Sequence, residues 1–173
     1  MKRVLIWAPL ALFALVFGLV ASGLIRPGDR TVHSAMIGKL APVTPLAPLV
    51  PNKPGIKSFA TGKPRLVNVF ASWCPPCIAE APQLMKLKQA GVAIDGVATA
   101  DTAEGMQTFL SRNGDPFVRI GDDRNRATQF AFGSAGVPET FVIDGAGRIA
   151  YQHIGDVRAD DVPVLLAQLE KAK

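Results

Sequence analysis

Cys74 and Cys77 are the two cysteines of the chain, and two prolines separate them in the motif WCPPC at 73–77. A pair with this spacing can pass between dithiol and disulfide, because one sulfur attacks a disulfide of another protein and the other then releases the product. An apolar run at 66–70, typical of a buried strand, comes just before the motif. A helix is predicted to begin near Cys74 and to carry both sulfurs.

The predicted helix start indicates which sulfur attacks. The first backbone N–H groups of a helix have no partner within it, and the helix dipole is positive at that end, so a thiolate at Cys74 is stabilised. Pro75 is tolerated at the first helical position, because the N–H that it lacks would have had no partner. We therefore expect Cys74 to be the exposed nucleophile. Cys77, almost one turn later, is expected to resolve the mixed disulfide.

Three other uses of the cysteine pair are possible. A disulfide that closes so short a loop removes little chain entropy, so a purely structural bond would stabilise the fold weakly. Haem attachment requires a histidine directly after the second cysteine, where this chain has Ile78. A zinc site needs about four ligands, and His33 and His153 lie far from the pair in sequence. We therefore favour redox chemistry, with neither a metal nor another cofactor.

The N-terminal segment is apolar enough to predict a membrane anchor. The 22 residues from Val4 to Ile25 carry no charge and, at about 1.5 Å per helical residue, would span about 33 Å. Lys2 and Arg3 precede them, so the short tail is predicted to stay in the cytoplasm. The alternative is a signal peptide cleaved at the small residues 21–23, although such apolar cores are usually shorter. Either way the rest of the chain is exported, to a compartment where disulfides persist.

The remaining chain divides into a tether and a folded domain. Residues 1–26 form the tail and anchor in this interpretation. Residues 27–55 are predicted to be a semi-rigid tether, because six prolines fall there without a sustained periodicity. The stretch 37–43 is a candidate for docking on the domain, which is predicted to occupy 56–173.

The net charge of +5 does not indicate a nucleic-acid-binding protein. Three of the basic residues, Lys2, Arg3 and Arg26, flank the apolar N-terminal run. The other 16 basic residues face 14 acidic ones and form no cluster along the sequence. A protein that binds phosphates usually concentrates its positive charge in a patch or stripe. The sequence therefore predicts no nucleic-acid partner.

The pattern of the domain predicts an α/β fold with a mixed sheet. Strands are expected at 66–70, 92–98, 117–120, 140–143 and 149–153, and helices at 74–88, from 102 or 103 to 112, at 124–130 and from 160 or 161 onward. The alternation of strands and helices makes the first half of the sheet parallel, whereas the final hairpin makes the second half antiparallel. Helices are expected on both faces of the sheet.

The motifs together resemble the thioredoxin superfamily. The resemblance is carried by WCPPC at 73–77, by Pro82 and by Val137-Pro138 ahead of a predicted strand. In that superfamily the second proline is cis and faces the active-site disulfide, which implies the same for Pro138. The backbone of Val137 would then be presented to an extended substrate.

A closer resemblance, from about residue 37 to the C-terminus, is to the cytochrome c maturation thiol:disulfide interchange family (DsbE/CcmG). It is carried by IGK at 37–39, LVNVFASWC at 66–74, Glu80 and GVPETFVID at 136–144. The resemblance implies a single-pass protein of the bacterial inner membrane with a thioredoxin-like domain in the periplasm. Such proteins reduce cysteines of apocytochrome c, or of a maturation partner, before haem ligation, and a transmembrane reductase supplies their electrons.

The chain departs from the family pattern at two places that bear on the choice of partner. Ala135 stands where the family commonly has an aromatic residue, and GVAT at 96–99 replaces a stretch that resembles Gly-Val-Asn-Tyr.

Reductants of the TlpA/ResA type share most of the motifs, so a reductant with another partner is an alternative function. An oxidant that introduces disulfides would use the same residues, and a non-catalytic binding module is a further alternative. The intact cysteine pair argues against the last of these.

Two acidic residues and the residues beside the sulfurs complete the candidate site. Glu80 follows Cys77 by three positions and so lies on an adjacent helical face. A solvated carboxylate in the first turn, favoured by the helix dipole, is an equally good interpretation of Glu80. Glu139 follows Pro138 and is expected near the disulfide, where negative charge disfavours a thiolate and argues against a strong oxidant. Trp73, Pro75 and Pro76 flank the sulfurs, and Trp73 is predicted to pack beside Cys74.

Overall fold

The computed structural model describes residues 2–25, 35–42 and 45–173, and the chain divides into two compact units, Met1–His33 and Ser34–Lys173. The first unit contains one helix, α1 (Lys2–Ile25), over the predicted apolar run. Large apolar side chains of α1 are exposed to solvent, namely Trp7, Leu10, Leu12, Phe13, Leu15, Val16 and Phe17. Within the described residues, no helix combines the length and the apolar character that crossing a membrane requires.

The second unit is organised by a five-stranded mixed sheet with β1 at its centre. Its elements in chain order are β1 (Arg65–Phe70), α2 (Pro75–Gln89), β2 (Ile94–Thr99), α3 (Ala103–Asn113), β3 (Arg119–Asp123), α4 (Ala127–Ala131), β4 (Glu139–Ile143), β5 (Ile149–Ile154) and α5 (Asp161–Lys171). The strands lie in the order β3-β2-β1-β4-β5. Strands β1, β2 and β3 are parallel, while β4 is antiparallel to both β1 and β5. The predicted mixed α/β sheet is confirmed.

Alternate residues of β1 separate the two faces of the sheet. Leu66 and Phe70 belong to the larger core, together with buried residues of α2, α3 and α5 such as Leu84, Phe109 and Leu165. Val67 and Val69 belong to the second core, with Phe132 after α4 and Phe141 of β4. This alternation follows from the two-residue period of a strand. The two sides are called the α2 face and the α4 face below.

Three elements begin two or three residues later than the sequence predicted, and one of them is β2, which starts at Ile94 instead of 92. Strand β3 starts at Arg119 instead of 117, because Phe117 turns into the core and stacks on Phe70 with ring centroids 4.4 Å apart. Helix α4 starts at Ala127 instead of 124. Arg126, just before it, has a positive φ of 62°, a left-handed conformation that a helix cannot continue through.

The proline-rich segment, predicted to be a tether over 27–55, packs onto the domain along much of its described length. Leu46 and Ile56 exchange two backbone hydrogen bonds, of 2.8 and 3.0 Å, and Pro48 pairs with Gly121 at the edge of β3. Apolar side chains between the prolines are buried, namely Leu46, Leu49 and Val50, and so is Ile56 just after the last proline. A Cβ at Gly121 would lie 2.6 Å from the side chain of Leu46, so glycine permits this close approach. The domain therefore begins before residue 56, because the extended segment covers a strand edge.

Candidate active site

A disulfide joins Cys74 and Cys77 at the start of α2. Cys74 is the N-cap residue of the helix, with extended backbone angles, and Pro75 follows it at the first helical position. The backbone N–H of Cys77 points at the Cys74 sulfur, 3.3 Å from the nitrogen. This N–H is one of those that a helix start leaves without a partner, so it can donate to a thiolate when the bond is reduced.

Both sulfurs are shielded from solvent, contrary to the prediction that Cys74 would be exposed. The exposed fraction is 3% for Cys74 and 1% for Cys77. The carbonyl oxygen of Val137 lies 3.6 Å from the Cys74 sulfur, and the loop that carries Val137 closes over that side. Trp73, Pro75 and Pro76 are exposed around the buried pair. A partner must therefore reach Cys74 through a rim that these residues form.

The loop that faces Cys74 contains a cis peptide bond between Val137 and Pro138, as the resemblance implies. The carbonyl of Pro138 accepts a hydrogen bond from the N–H of Gly155, at 3.1 Å, which joins this loop to the end of β5. Val137 is half-buried and Pro138 is buried. The backbone of Val137 thus lies at the margin of the disulfide, where an extended peptide would meet it.

The segment before Cys74 is fixed by a carboxylate that sequence reasoning missed. Asp101, in the loop after β2, accepts hydrogen bonds from the Ser72 N–H at 2.5 Å, from the Ser72 hydroxyl at 2.7 Å and from the Thr102 N–H at 2.7 Å. Trp73 is 54% exposed and donates its indole N–H to the carbonyl of Ala100 at 3.1 Å. Trp73 therefore lies on the surface beside Cys74 and is held by the loop after β2. The feature of the sequence that could have indicated Asp101 is the polar stretch at 99–102, at the end of a predicted strand.

Glu80 is buried in the domain instead of being solvated in the first turn of the helix. Its exposed fraction is 1%. One carboxylate oxygen accepts from the side-chain amide of Asn68 in β1, and the other accepts from the N–H of Val157, each at 3.0 Å. Asn68 also donates to the hydroxyl of Thr140 in β4 at 3.0 Å. Glu80 thus lies three residues beyond Cys77 and is anchored to the sheet.

The pKa of Glu80 is raised from its ordinary value of 4.5 to about 7. Desolvation is the largest cause, because burial disfavours the charged carboxylate. The hydrogen bonds from Val157 and Asn68 act in the opposite direction and lower the pKa, while the charge of Asp156 raises it further. Glu80 can therefore bind or release a proton near neutral pH, which is the property of an acid–base group.

Glu139, although adjacent to Pro138, projects from the α4 face of the sheet. Its neighbour Thr140 bonds to Asn68 on the α2 face, so strand alternation turns Glu139 to the other side. The buried carboxylate accepts from the N–H of Ala135 at 3.0 Å and from the amide of Gln152 at 2.6 Å. Glu139 thus fastens the loop that precedes the cis-proline to β5. No hydrogen bond in the described part of the chain joins it to either sulfur.

Asn68, Thr140, Val157 and Gln152 are site residues to which the sequence analysis assigned no role. Asn68 stands in an otherwise apolar strand, RLVNVF at 65–70, and a polar residue there must find a partner inside the domain. Val157 contributes its backbone, for which no side-chain pattern gives a signal. Its partner Glu80 is 77 residues away in sequence.

A sheet of this order, with a reducible pair at the start of the helix after its central strand and a cis-proline opposite, places the chain among the thioredoxin-like thiol–disulfide oxidoreductases. The Redoxin family model matches residues 37–169. The chain belongs to the Redoxin family and, within it, to the thiol:disulfide interchange proteins of the DsbE and HelX type.

Relatives of this type match nearly the whole chain. HelX of Rhodobacter capsulatus is 39% identical, over 92% of each of the two chains. The DsbE homolog of Paracoccus denitrificans is 41% identical, over 95% of this chain and 92% of the homolog. A crystal structure of a DsbE-type thiol:disulfide interchange protein from Chlorobium tepidum superposes with a TM-score of 0.63 at 29% identity. That match covers 77% of this chain and 94% of the other.

The raised pKa of Glu80 predicts a specific pH dependence of stability. Between pH 4.5 and about 7 the unfolded carboxyl ionises while the folded one keeps its proton, so the free energy of unfolding falls as pH rises. The loss should approach about 3 kcal/mol and be complete above the folded pKa. Glu80→Gln should remove this part of the profile. Urea denaturation of the oxidised full-length proteins from pH 4 to pH 8 measures it.

The matched control is Glu104→Gln, which changes an exposed carboxylate in the first turn of α3. This variant should keep the pH dependence of the wild type. If wild type and Glu80→Gln have parallel profiles, Glu80 does not titrate in this range and its assignment as an acid–base group is wrong.

Proposed function

We propose that the protein is a reductant that passes two electrons from Cys74 and Cys77 to cysteines of apocytochrome c, or of a maturation partner, before haem ligation. The observation that carries this proposal is the buried carboxyl of Glu80, three residues beyond Cys77, with a pKa of about 7. Its negative charge disfavours a thiolate at the neighbouring cysteine. A strong oxidant, by contrast, depends on a stabilised reduced form.

The surroundings of the two sulfurs differ, and this difference supports the roles that we propose for them. The N–H of Cys77 favours a thiolate at Cys74. Glu80 opposes a thiolate at Cys77, which therefore keeps its proton until it is needed. Cys74 is accordingly the nucleophile that attacks the partner disulfide, and Cys77 is the resolving thiol, which attacks in the second step.

The exchange proceeds in two steps that balance electrons and protons. In the first, the Cys74 thiolate attacks the partner disulfide, a Cys74–partner disulfide forms, and one partner sulfur leaves as a thiolate that solvent protonates. In the second, Cys77 gives its proton to the Glu80 carboxylate and its thiolate attacks the Cys74 sulfur, so the Cys74–partner bond breaks and the second partner sulfur leaves as a thiolate that solvent protonates. Glu80 then releases the proton of Cys77 to solvent. The protein ends as the Cys74–Cys77 disulfide and the partner as a dithiol.

The resemblance to the cytochrome c maturation family supports the choice of partner and of electron donor. Relatives are named thiol:disulfide interchange proteins, and the chain matches them over most of its length. A transmembrane reductase is the proposed donor, because the disulfide must be reduced again after each turnover. The exposed rim of Trp73, Pro75 and Pro76 around the sulfurs is the surface through which both partners would approach.

We also propose that α1 anchors the protein to the bacterial inner membrane and that the catalytic domain lies in the periplasm. The support is the uncharged run from Val4 to Ile25 and the exposure of its large apolar side chains, an arrangement unfavourable in water. Lys2 and Arg3 before the run favour a cytoplasmic N-terminus.

A membrane fractionation tests the anchor. The full-length protein should remain in the membrane pellet after carbonate washing, whereas a variant that begins at Ser34 and carries a cleavable export signal should be released. Recovery of a natural soluble form that begins near Gly23 would show instead that the segment is a signal peptide.

The roles of the cysteines predict which variant traps a partner. Cys77→Ser should accumulate mixed disulfides through Cys74, because the second step lacks its nucleophile. Cys74→Ser, the matched control, should accumulate none. Non-reducing electrophoresis of acid-quenched cells measures both, and equal trapping by the two variants would contradict the assignment.

The direction of electron flow is tested by alkylating thiols in intact cells. A reductant should be found largely as the dithiol in wild-type cells and as the disulfide when its electron donor is removed. A pair that is mainly oxidised under both conditions would favour the alternative function, a disulfide-introducing oxidant.

A further inference from the structure

Asn68 occupies an unusual position between two groups of the α2 face. Its side chain is fully buried, and its Nδ2 donates to Glu80 Oε1 and to Thr140 Oγ1, each at 3.0 Å. Its Oδ1 is buried without a hydrogen-bond partner among the residues that the structure describes. One end of the amide thus makes both of its bonds while the other end makes none.

This arrangement suits only the ionised form of Glu80. The carboxylate faces two N–H donors, from Asn68 and from Val157. When the carboxylate takes up a proton, its new O–H group also needs an acceptor. Both oxygens face donors, so the acid form would be poorly bonded if nothing moved. The mechanism proposed above, on which this inference rests, requires both forms of Glu80 in every turnover.

We propose that Asn68 is a positioning residue whose side-chain amide reverses with the protonation state of Glu80, donating to the carboxylate and accepting from the carboxylic acid. A half-turn about the Cβ–Cγ bond places Oδ1 where Nδ2 lies, near both partners. Oδ1 then accepts the Glu80 O–H and the Thr140 O–H, because the threonine hydroxyl can donate as well as accept. No covalent bond changes, and the proton stays on Glu80.

An asparagine is suited to this task because its amide presents donors at one end and an acceptor at the other. An ionised aspartate could only accept, and a leucine could do neither. The register of the sheet supplies the second partner, since Asn68 and Thr140 lie directly opposite each other on β1 and β4. Glu80 therefore finds a hydrogen-bond partner in Asn68 in both protonation states. The reversal has a cost, because it moves Nδ2 to the buried position where Oδ1 has no partner among the described residues.

The charges around Glu80 do not replace this function of Asn68. Asp156, in the loop before α5, repels the carboxylate. Arg158 bonds to Asp156 at 3.1 Å and holds the pKa of that carboxyl below its ordinary value, so Asp156 stays charged. His153 of β5 lies opposite Thr140 and within 3.8 Å of Asp161. None of these groups is placed by a hydrogen bond to accept the proton of a neutral Glu80.

The reversal can be observed in the wild-type protein by nuclear magnetic resonance. The oxidised full-length chain, in detergent micelles and labelled with 15N at its four asparagines, is compared at pH 5 and pH 9. At pH 9 the Nδ2 protons of Asn68 should show cross-relaxation with the side chain of Thr140. At pH 5 this signal should be lost, with a midpoint that coincides with the titration of the Glu80 carboxyl. The amides of Asn52, Asn113 and Asn125 serve as internal controls and should not change.

A pair of matched variants tests the consequence for exchange. Asn68→Leu should slow the second step, release of the partner thiol, about fivefold or more at pH 7, and move its pH midpoint upward by about one unit or more. The reason is that the ionised form of Glu80 loses the stronger, charge-assisted bond. The first step, measured in a Cys77→Ser background, should change less than twofold. Asn52→Leu, in an exposed turn, should leave both steps unchanged.

The outcomes separate this inference from the mechanism on which it rests. Cross-relaxation with Thr140 that persists through the titration of Glu80, or a Glu80 carboxyl that does not titrate between pH 5 and pH 9, overturns the reversal. An unchanged second step in Asn68→Leu overturns it as well. If Glu80→Gln leaves the second step unchanged, it is the role of Glu80 as proton acceptor that fails. If Glu80 fails as proton acceptor, or if Asn68→Leu does not fold, the cross-relaxation between Asn68 and Thr140 in the wild-type protein still tests whether the amide reverses.

Discussion

The position of the reactive pair depends on the junction between β1 and α2. β1 is the central strand and is paired on both sides, and the chain leaves it at the carboxyl end of the parallel strands, where α2 begins. β2 runs parallel to β1 and ends at the same end of the sheet, so the loop after β2, which carries Asp101, lies beside Ser72 and holds it in place. β4 runs antiparallel, so it begins there, and Pro138 precedes it. Strand direction alone therefore brings the disulfide, its supporting carboxylate and the cis-proline together.

The same junction has an electrostatic consequence. A helix that starts at the sheet edge and packs on the α2 face must bury the residues of its inner side, which include Cys77 and Glu80. Removal from water strengthens every electrostatic interaction of Glu80, and the loss of hydration outweighs the two hydrogen bonds that it gains. The helix start favours the thiolate at Cys74, while the helix interior favours a protonated group three residues beyond Cys77. A single short helix thus creates two different environments for the two sulfurs.

The sequence predicted those features that local pattern determines. The strand run before the motif, the C-x-x-C spacing and the final hairpin were sufficient for the mixed sheet and for the position of the disulfide. Features that depend on distant packing were not predictable in this way. Cys74 was expected to be exposed, but the Val137 carbonyl, 63 residues away in sequence, covers it. The prolines predicted a tether over 27–55, yet no local signal showed that Leu46 and Leu49 within it would be buried.

The two acidic residues of the site show that nearness along the chain does not decide nearness in the folded structure. Glu139 lies next to the cis-proline in sequence, but the two-residue period of β4 turns its carboxylate to the α4 face, where Ala135 and Gln152 bind it. Glu80 is far from the cis-proline in sequence, yet it shares the α2 face with the cysteine helix and with Asn68. A change at Glu139 should therefore act on exchange through the position of the loop around Val137. A change at Glu80 should act in the proposed mechanism through the proton of Cys77, because Glu80 combines burial on that face with a pKa of about 7.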